Sequence, residues 1–381
     1  MSVRTSTLAK SVVVAAVAAS TVFAASACSS NGSQPVPGGA TPQSDIKFAT
    51  LQPNDGFTPV ADYMNTAKKT IDIVMYETDL PFPQLMTTLE AAVKRGVKVR
   101  LLLSSKLYQI PGKPPVPNHN VPDLEAYRKI GVDAQLSRPE FSNEHQKTIQ
   151  LDAGTPEQRV MVCDFNLGAS YFSDKSPYPG EGGTRGMSLI DTNKADNDTI
   201  AAYYNADWPP YSAWPVSTQA NLVWAPSGPN WSPQGNAQTV LTSMFNNAQK
   251  NLDVYAQMIP KDAILLQPLV DAAKRGVKVR VVGNKGGIDP VALDQLKGAG
   301  AQVVVGPKMT ASDPNPLYVH TKTIIADAEG PTAVAFVGSE NPFLDDSILN
   351  ERELGLLTTE SANVSKIEST FNSDFSTGTP Q

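Results

Sequence analysis

The chain repeats itself at long range. Thr70-Ile71-Asp72-Ile73-Val74-Met75-Tyr76 is echoed by Asn251-Leu252-Asp253-Val254-Tyr255-Ala256-Gln257, each behind an Ala-x-Lys (Ala67 to Lys69, Ala248 to Lys250). Arg95-Gly96-Val97-Lys98-Val99-Arg100 returns at Arg275 to Arg280, an offset of 180 residues, and Leu124 to Leu136 returns as Leu293 to Val305. Self-similarity on this scale restricts the chain to architectures assembled from two copies of one unit. Within a copy, Leu85, Leu89, Ala92 and Val93 recur at helical spacing, and the helix stops at Gly96, a residue that tolerates a left-handed cap. The β-branched run that follows, Val97 to Leu103 or Val277 to Val282, reads as a buried strand. Strand–helix–strand units of this kind predict an α/β chain of two α/β/α halves with mixed, largely parallel sheets. The halves are expected at residues 46–215 and 216–381, parted where Asp207-Trp208-Pro209-Pro210-Tyr211 interrupts regular structure. A Pro-rich insertion, Ile110 to Pro122, follows a strand end, the side on which α/β sheets border ligand sites.

Two of the three histidines open the same pattern. His145-Gln146-Lys147 leads to Asp152, and His320-Thr321-Lys322 leads to Asp327, 175 residues later. On a strand, residues i and i+2 face one way, so each histidine and its lysine project together, while Asp152 and Asp327 have the opposite parity. The two aspartates fit structural partners better than proton carriers. The third histidine, His119, sits in the Pro-rich loop and reads as an exposed loop residue. The repeated Lys and Arg of Arg-Gly-Val-Lys-Val-Arg read as solubilising charges at a strand edge.

A doubled His-x-Lys-x-x-x-x-Asp in a duplicated α/β chain resembles the phospholipase D superfamily, over roughly residues 46 to 376. Gly338-Ser339-Glu340-Asn341 matches the Gly-Ser-x-Asn element of that family, and Glu351 stands where the family has a glutamate bonded to a motif histidine. The resemblance implies a duplicated phospholipase D-like fold with a pseudo-twofold axis, and one phosphodiester-cleaving site of His145, Lys147, Asp152, His320, Lys322 and Asp327. Lys147 and Lys322 would neutralise the phosphodiester, while Ser339 and Asn341 donate to its non-bridging oxygens. One imidazole attacks phosphorus and the other protonates the departing alcohol. The family's use of the first motif points to His145 as nucleophile and His320 as acid. Glu351 would orient His320, or be a solvated acid. No metal or other cofactor is expected, since no cluster with metal-ligand spacing occurs. The first half departs from the family pattern: Gly168-Ala169-Ser170-Tyr171 stands where Gly-Ser-x-Asn is expected, with Ser170 displaced and Glu181 a candidate counterpart of Glu351.

The first residues read as an export signal. Arg4 and Lys10 precede an apolar stretch from Val12 to about Ala27, and residues 1–27 form the expected signal peptide. Ala25-Ser26-Ala27-Cys28 is readable as ordinary signal cleavage or as a lipoprotein box with Cys28 acylated. Residues 28–45 suit a flexible polar tether and favour the lipoprotein. The expected location is the outer face of the cell membrane, or the extracellular medium. If Cys28 is acylated, Cys163 has no partner and reads as a buried strand thiol. The formal charge is −6, and loss of Arg4 and Lys10 makes it −8. An acidic body is a poor match for nucleic acid, so a phospholipid or small phosphodiester is the expected substrate. Hydrolysis leads; transfer as in cardiolipin-synthase-like relatives, a secreted nuclease, and a non-catalytic phospho-ligand-binding lipoprotein are the alternatives. Trp208, Trp214, Trp224 and Trp231 are expected to fill the junction between the halves.

Overall fold

The computed structural model describes residues 37–39, 45–109, 114–173 and 180–381. In the first half, β1 (Ile46–Gln52), β2 (Thr70–Met75), β3 (Lys98–Leu103), β4 (Asp133–Leu136), β5 (Thr148–Leu151), β6 (Arg159–Cys163) and β7 (Thr184–Asp191) build a sheet ordered β1-β7-β6-β5-β2-β3-β4. In the second, β8 (Leu222–Ala225), β9 (Asn251–Ala256), β10 (Lys278–Gly283) and β11 (Gln302–Val305) join β13 (Ile324–Ala326), β14 (Val334–Gly338), β15 (Glu353–Thr358) and β16 (Thr379–Pro380). Their order is β16-β11-β10-β9-β13-β14-β15-β8, while β12 (Tyr318–Val319) crosses over to pair with β7. The helices are α1 (Thr58–Asn65), α2 (Pro83–Lys94), α3 (Asn120–Lys129), α4 (Lys194–Asp207), α5 (Ala237–Asn247), α6 (Leu266–Lys274), α7 (Pro290–Gly298), α8 (Asp345–Leu349) and α9 (Ser361–Thr377).

Register equates β2 to β7 with β9, β10, β11, β13, β14 and β15, so the duplication in sequence is a duplication of fold. The helices between the parallel strands carry the repeated sequence. In α2, Leu85, Leu89 and Ala92 are buried, and Gly96 (φ +86°) makes the left-handed step into β3; α6 and Gly276 (φ +93°) repeat this. Between the named strands, parallel pairing joins β2-β3-β4, β9-β10-β11 and β12 to β7. Each sheet is therefore mixed: β5 and β13 pair antiparallel with their neighbours, because the short link from Asp152 to Gln158, and its counterpart after Asp327, allows no crossover.

The repeated arginines are not merely solubilising. Arg100 Nε lies 2.6 Å from Asp72, and Arg280 holds both oxygens of Asp253 at 2.6 Å, with each aspartate buried. One core packs α1, α2 and α3 on the first sheet, and a second packs α5, α6 and α7 on the other. A third joins the inner faces of both sheets through Val160, Leu189, Trp224, Tyr255 and Val337, with α4 and α9 contributing. Trp224 stacks on Tyr203, and Trp214 and Trp231 pack with Phe141. Cys163 is buried at the end of β6, and burial pushes its thiol well up. Residues 1–27, Cys28 and most of the expected 28–45 tether lie outside the described residues. Among those described, no helix is long and apolar enough to cross a membrane.

Candidate active site

Each motif is anchored on the opposite half. Glu144, just before the first motif, bridges to Arg352, and Val319, just before the second, pairs with Arg185. The backbone N–H of His145 donates to the Arg352 carbonyl at 2.9 Å, and that of His320 to the Arg185 carbonyl at 3.2 Å. Arg352 is in turn bound to Asp207 at the end of α4, and Arg185 to Asp374 in α9. The paired strands β5 and β13 start only after the motif lysines. The His-x-Lys segments are thus held less by ladders within their own sheets than by this exchange between halves, which brings both imidazoles to a single cleft of ≈360 Å³.

The lysines lie behind the rings. Lys147 and Lys322 are fully buried, and each Nζ donates to the carbonyl of its own motif histidine, at 2.6 and 2.5 Å. Lys322 also reaches Gln257 Oε1 at 3.2 Å, whereas Lys147 lies near the Tyr76 ring, the counterpart of Gln257. Burial lowers Lys147 to about 8 and takes Lys322 well below the usual lysine range. Both histidines are driven down, first by burial and then by the adjacent lysines. An anion bound between the lysines would cancel their positive field and raise both imidazoles again.

The two histidines differ at Nδ1. His145 meets Glu353 at 2.8 and 2.9 Å, with Glu351 at 3.7 Å. The Ser347 hydroxyl donates to Glu353, and Asn143 donates to Glu351. Burial raises each of these carboxyls to about 7. His320 Nδ1 instead meets the main-chain carbonyl of Asp164 at 2.8 Å. Register equates Glu353 with Gly186, and a Cβ at Gly186 would lie 2.9 Å from Asp164 Oδ1. The Asp164 carboxylate fills that space. It accepts from Met187 N–H at 2.7 Å and from the Thr321 hydroxyl, and burial raises it to about 7.

Several sequence-based assignments change. Glu351, expected to orient His320, lies with Glu353 beside His145. Asp152 and Asp327 stand apart from the cleft lining, at the far ends of β5 and β13. Asp152 accepts from the backbone N–H groups of Lys68, Lys69 and Thr70, and Asp327 from those of Gln249, Lys250 and Asn251. Ser339 is buried against the Leu354 backbone, while Asn341 lines the cleft. Register equates Ser339-Glu340-Asn341 with Asp164-Phe165-Asn166, so Asn166, which also lines the cleft, replaces Ser170 as the counterpart of Asn341. Ser170 is 3.4 Å from Asp79 instead. Equal spacing carried this signal, since 166 − 152 and 341 − 327 are both 14. His119 is not free in its loop: it lies 3.1 Å from Glu77, a lining residue, whose hydrogen bond raises its pKa. Two trios, Glu77–Asp79–His119 and His145–Glu351–Glu353, bring ligand-type atoms within 4.8 Å of one another, and in each a histidine already pairs with a carboxylate.

A family profile described as "Cardiolipin synthase, PLD-like domain" matches residues 60–208 and 241–375, one copy in each half. The chain belongs to the phospholipase D superfamily. No curated protein matches it in sequence. The fold is similar to that of phosphatidylserine synthase from Haemophilus influenzae Rd KW20, at 11% identity and a TM-score of 0.62, covering 91% of this chain and 88% of that one. It is also similar to polyphosphate kinase from Porphyromonas gingivalis, at 14% identity and a TM-score of 0.61, covering 86% of this chain. The chain spans 46% of the length of that kinase. A phospholipase D family member, Nuc from Salmonella typhimurium, matches 42% of this chain and 95% of its own, at 17% identity and a TM-score of 0.33.

Proposed function

We propose that this chain cleaves a phospholipid-type phosphodiester through a phosphohistidine. The observation that carries the reading is the convergence of both motif histidines on one cleft, with a buried lysine behind each. The difference at Nδ1 supports the division of labour. The Glu353 carboxylate accepts a hydrogen bond from Nδ1–H of His145, which leaves a lone pair on Nε2, and stabilises the positive charge that develops as Nε2 bonds to phosphorus. As that bond forms, the bond from phosphorus to the departing alcohol breaks; His320, protonated on both nitrogens once the bound phosphodiester anion has raised its pKa, gives its Nε2 proton to the leaving oxygen and keeps Nδ1–H on the Asp164 carbonyl. An incoming hydroxyl then attacks phosphorus, His320 takes its proton, and the P–N bond breaks. Asn166 and Asn341 offer amide donors at the cleft wall.

Water as the incoming hydroxyl gives hydrolysis; an alcohol gives transfer. The family description and the likeness to a synthase favour keeping transfer as a second reading. We also propose export, with Cys28 as a lipid attachment point, on the strength of the N-terminal sequence. Purified protein is to be incubated with a phosphatidyl lipid, an oligonucleotide and a chromogenic diester, with and without glycerol. Turnover of the lipid and chromogenic substrates is expected. His145→Ala and His320→Ala should each remove nearly all of it, without additivity. Phosphatidic acid as the product indicates hydrolysis, and a glycerol adduct indicates transfer; wild-type inactivity on every substrate overturns the enzymatic reading. Cys28→Ala should free the protein from membranes in the producing cell, and unchanged retention refutes acyl anchoring.

A further inference from the structure

Tyr108, Val116 and Met258 are large apolar side chains standing 55%, 45% and 43% exposed, and all three line the cleft that holds His145 and His320. They come from both halves: Tyr108 precedes the Pro-rich insertion after β3, Val116 lies within it, and Met258 follows β9. Leu344, half-buried, joins them. The reaction has no use for any of them. Single exposed apolar residues need no explanation, but a group at one cleft does. The chemistry changes along the cleft, from imidazoles and buried amides to these exposed side chains. Among the described residues no lysine or arginine lines the cleft, and the acids there are Glu77 and Glu351.

A nucleic acid strand would need cations along such a lip, and a sugar would need hydrogen-bond partners. An amphiphile with phosphate at the floor and hydrocarbon at the lip satisfies both regions. The formal charge of −6, and the lack of Lys and Arg among the described lining residues, set the surface against anionic bilayers. We infer that Tyr108, Val116, Met258 and Leu344 form a hydrocarbon-binding lip that seats the cleft on a zwitterionic phospholipid bilayer. The inference rests on the phosphodiesterase reading of the site, which it extends to the physical state of the substrate.

The test compares full-length protein with a variant carrying Tyr108→Ser, Val116→Ser and Met258→Ser. Both carry Cys28→Ala, so that no acyl chain holds either protein on the vesicles. The substrates are phosphatidylcholine vesicles and a water-soluble chromogenic diester. The variant should lose about tenfold or more turnover on vesicles while keeping the soluble rate within about twofold. Equal loss on both substrates, or unchanged vesicle turnover, overturns the lip. If wild type turns over neither substrate, the phosphodiesterase reading fails separately. Vesicle flotation then decides the lip alone, and a variant that floats as fully as wild type overturns it.

Discussion

His145 and His320 hold equivalent places in two copies of one motif, yet one ring leans on a carboxylate and the other on a peptide carbonyl. Charge makes the difference consequential. A carboxylate favours the positive imidazole, whereas a neutral carbonyl fixes the tautomer with a smaller effect on charge. Glu353→Gln keeps the shape and removes the charge, so kcat should fall by about 100-fold or more, as when a triad aspartate becomes an amide. The sign of the pH dependence follows. With Glu351 and Glu353 both raised to about 7, lowering the pH through 7 protonates them and erases the negative charge beside His145. With Lys147 lowered to about 8, raising the pH through 8 removes its positive charge. The kcat/KM of wild type should therefore rise through about 7 and fall through about 8, and Glu353→Gln should lose the acid limb. An unchanged acid limb in Glu353→Gln would assign that proton elsewhere.

At the scale of elements, the most informative residues are the motif aspartates. Asp152 and Asp327 adopt φ of +54° and +52°, a left-handed conformation uncommon outside glycine, and each gathers three successive backbone N–H groups from the turn preceding β2 or β9. They staple the end of one strand to the start of its neighbour. Asp152→Asn, which tolerates the same backbone but carries no charge, should lower unfolding free energy by about 1–3 kcal/mol. Turnover per folded molecule should stay within about twofold of wild type. A normal melting temperature with lost turnover would place Asp152 in the chemistry. The opposite parity of Asp and His-x-Lys already separated them in the sequence. Strand–helix–strand order and the twin histidines were equally legible, because short-range periodicity and repetition encode them. The pairing of His145 with Glu353 was not. It joins residues 208 positions apart across two halves, and nothing local distinguishes Glu353 from Glu351. Parallel order was legible where repetition marks it, in β2-β3-β4 and β9-β10-β11, while the turn after Asp152 decides the antiparallel remainder of each mixed sheet.

In the whole molecule, the site exists because the halves are interlocked rather than merely adjacent. Arg185 shows how. Its carbonyl receives the His320 N–H; its guanidinium grips both oxygens of Asp374 at 2.8 and 2.9 Å and also reaches Gln52 and Asn54. Arg185 is 3% exposed and Asp374 1%. Arg185→Ala would leave Asp374 buried with the Tyr255 hydroxyl at 2.7 Å as its remaining side-chain partner. Leaving a buried charge without its counter-ion costs about 3–5 kcal/mol. Arg185→Lys should recover only part of that, since an ammonium cannot form the two-pronged contact. The form of the unfolding curve is the sharper readout. The central core draws Val160 and Leu189 from one half and Trp224, Tyr255 and Val337 from the other, so neither half can open without exposing the other's inner sheet face. Denaturant unfolding followed by both far-ultraviolet circular dichroism and tryptophan fluorescence should give one coincident transition in wild type, shifted as a unit by Arg185→Ala. Two separated transitions would mean that the halves are independent folding units. Their histidines would then meet by docking, and the strength of the interface, rather than the cleft alone, would set how much of the protein is competent to react.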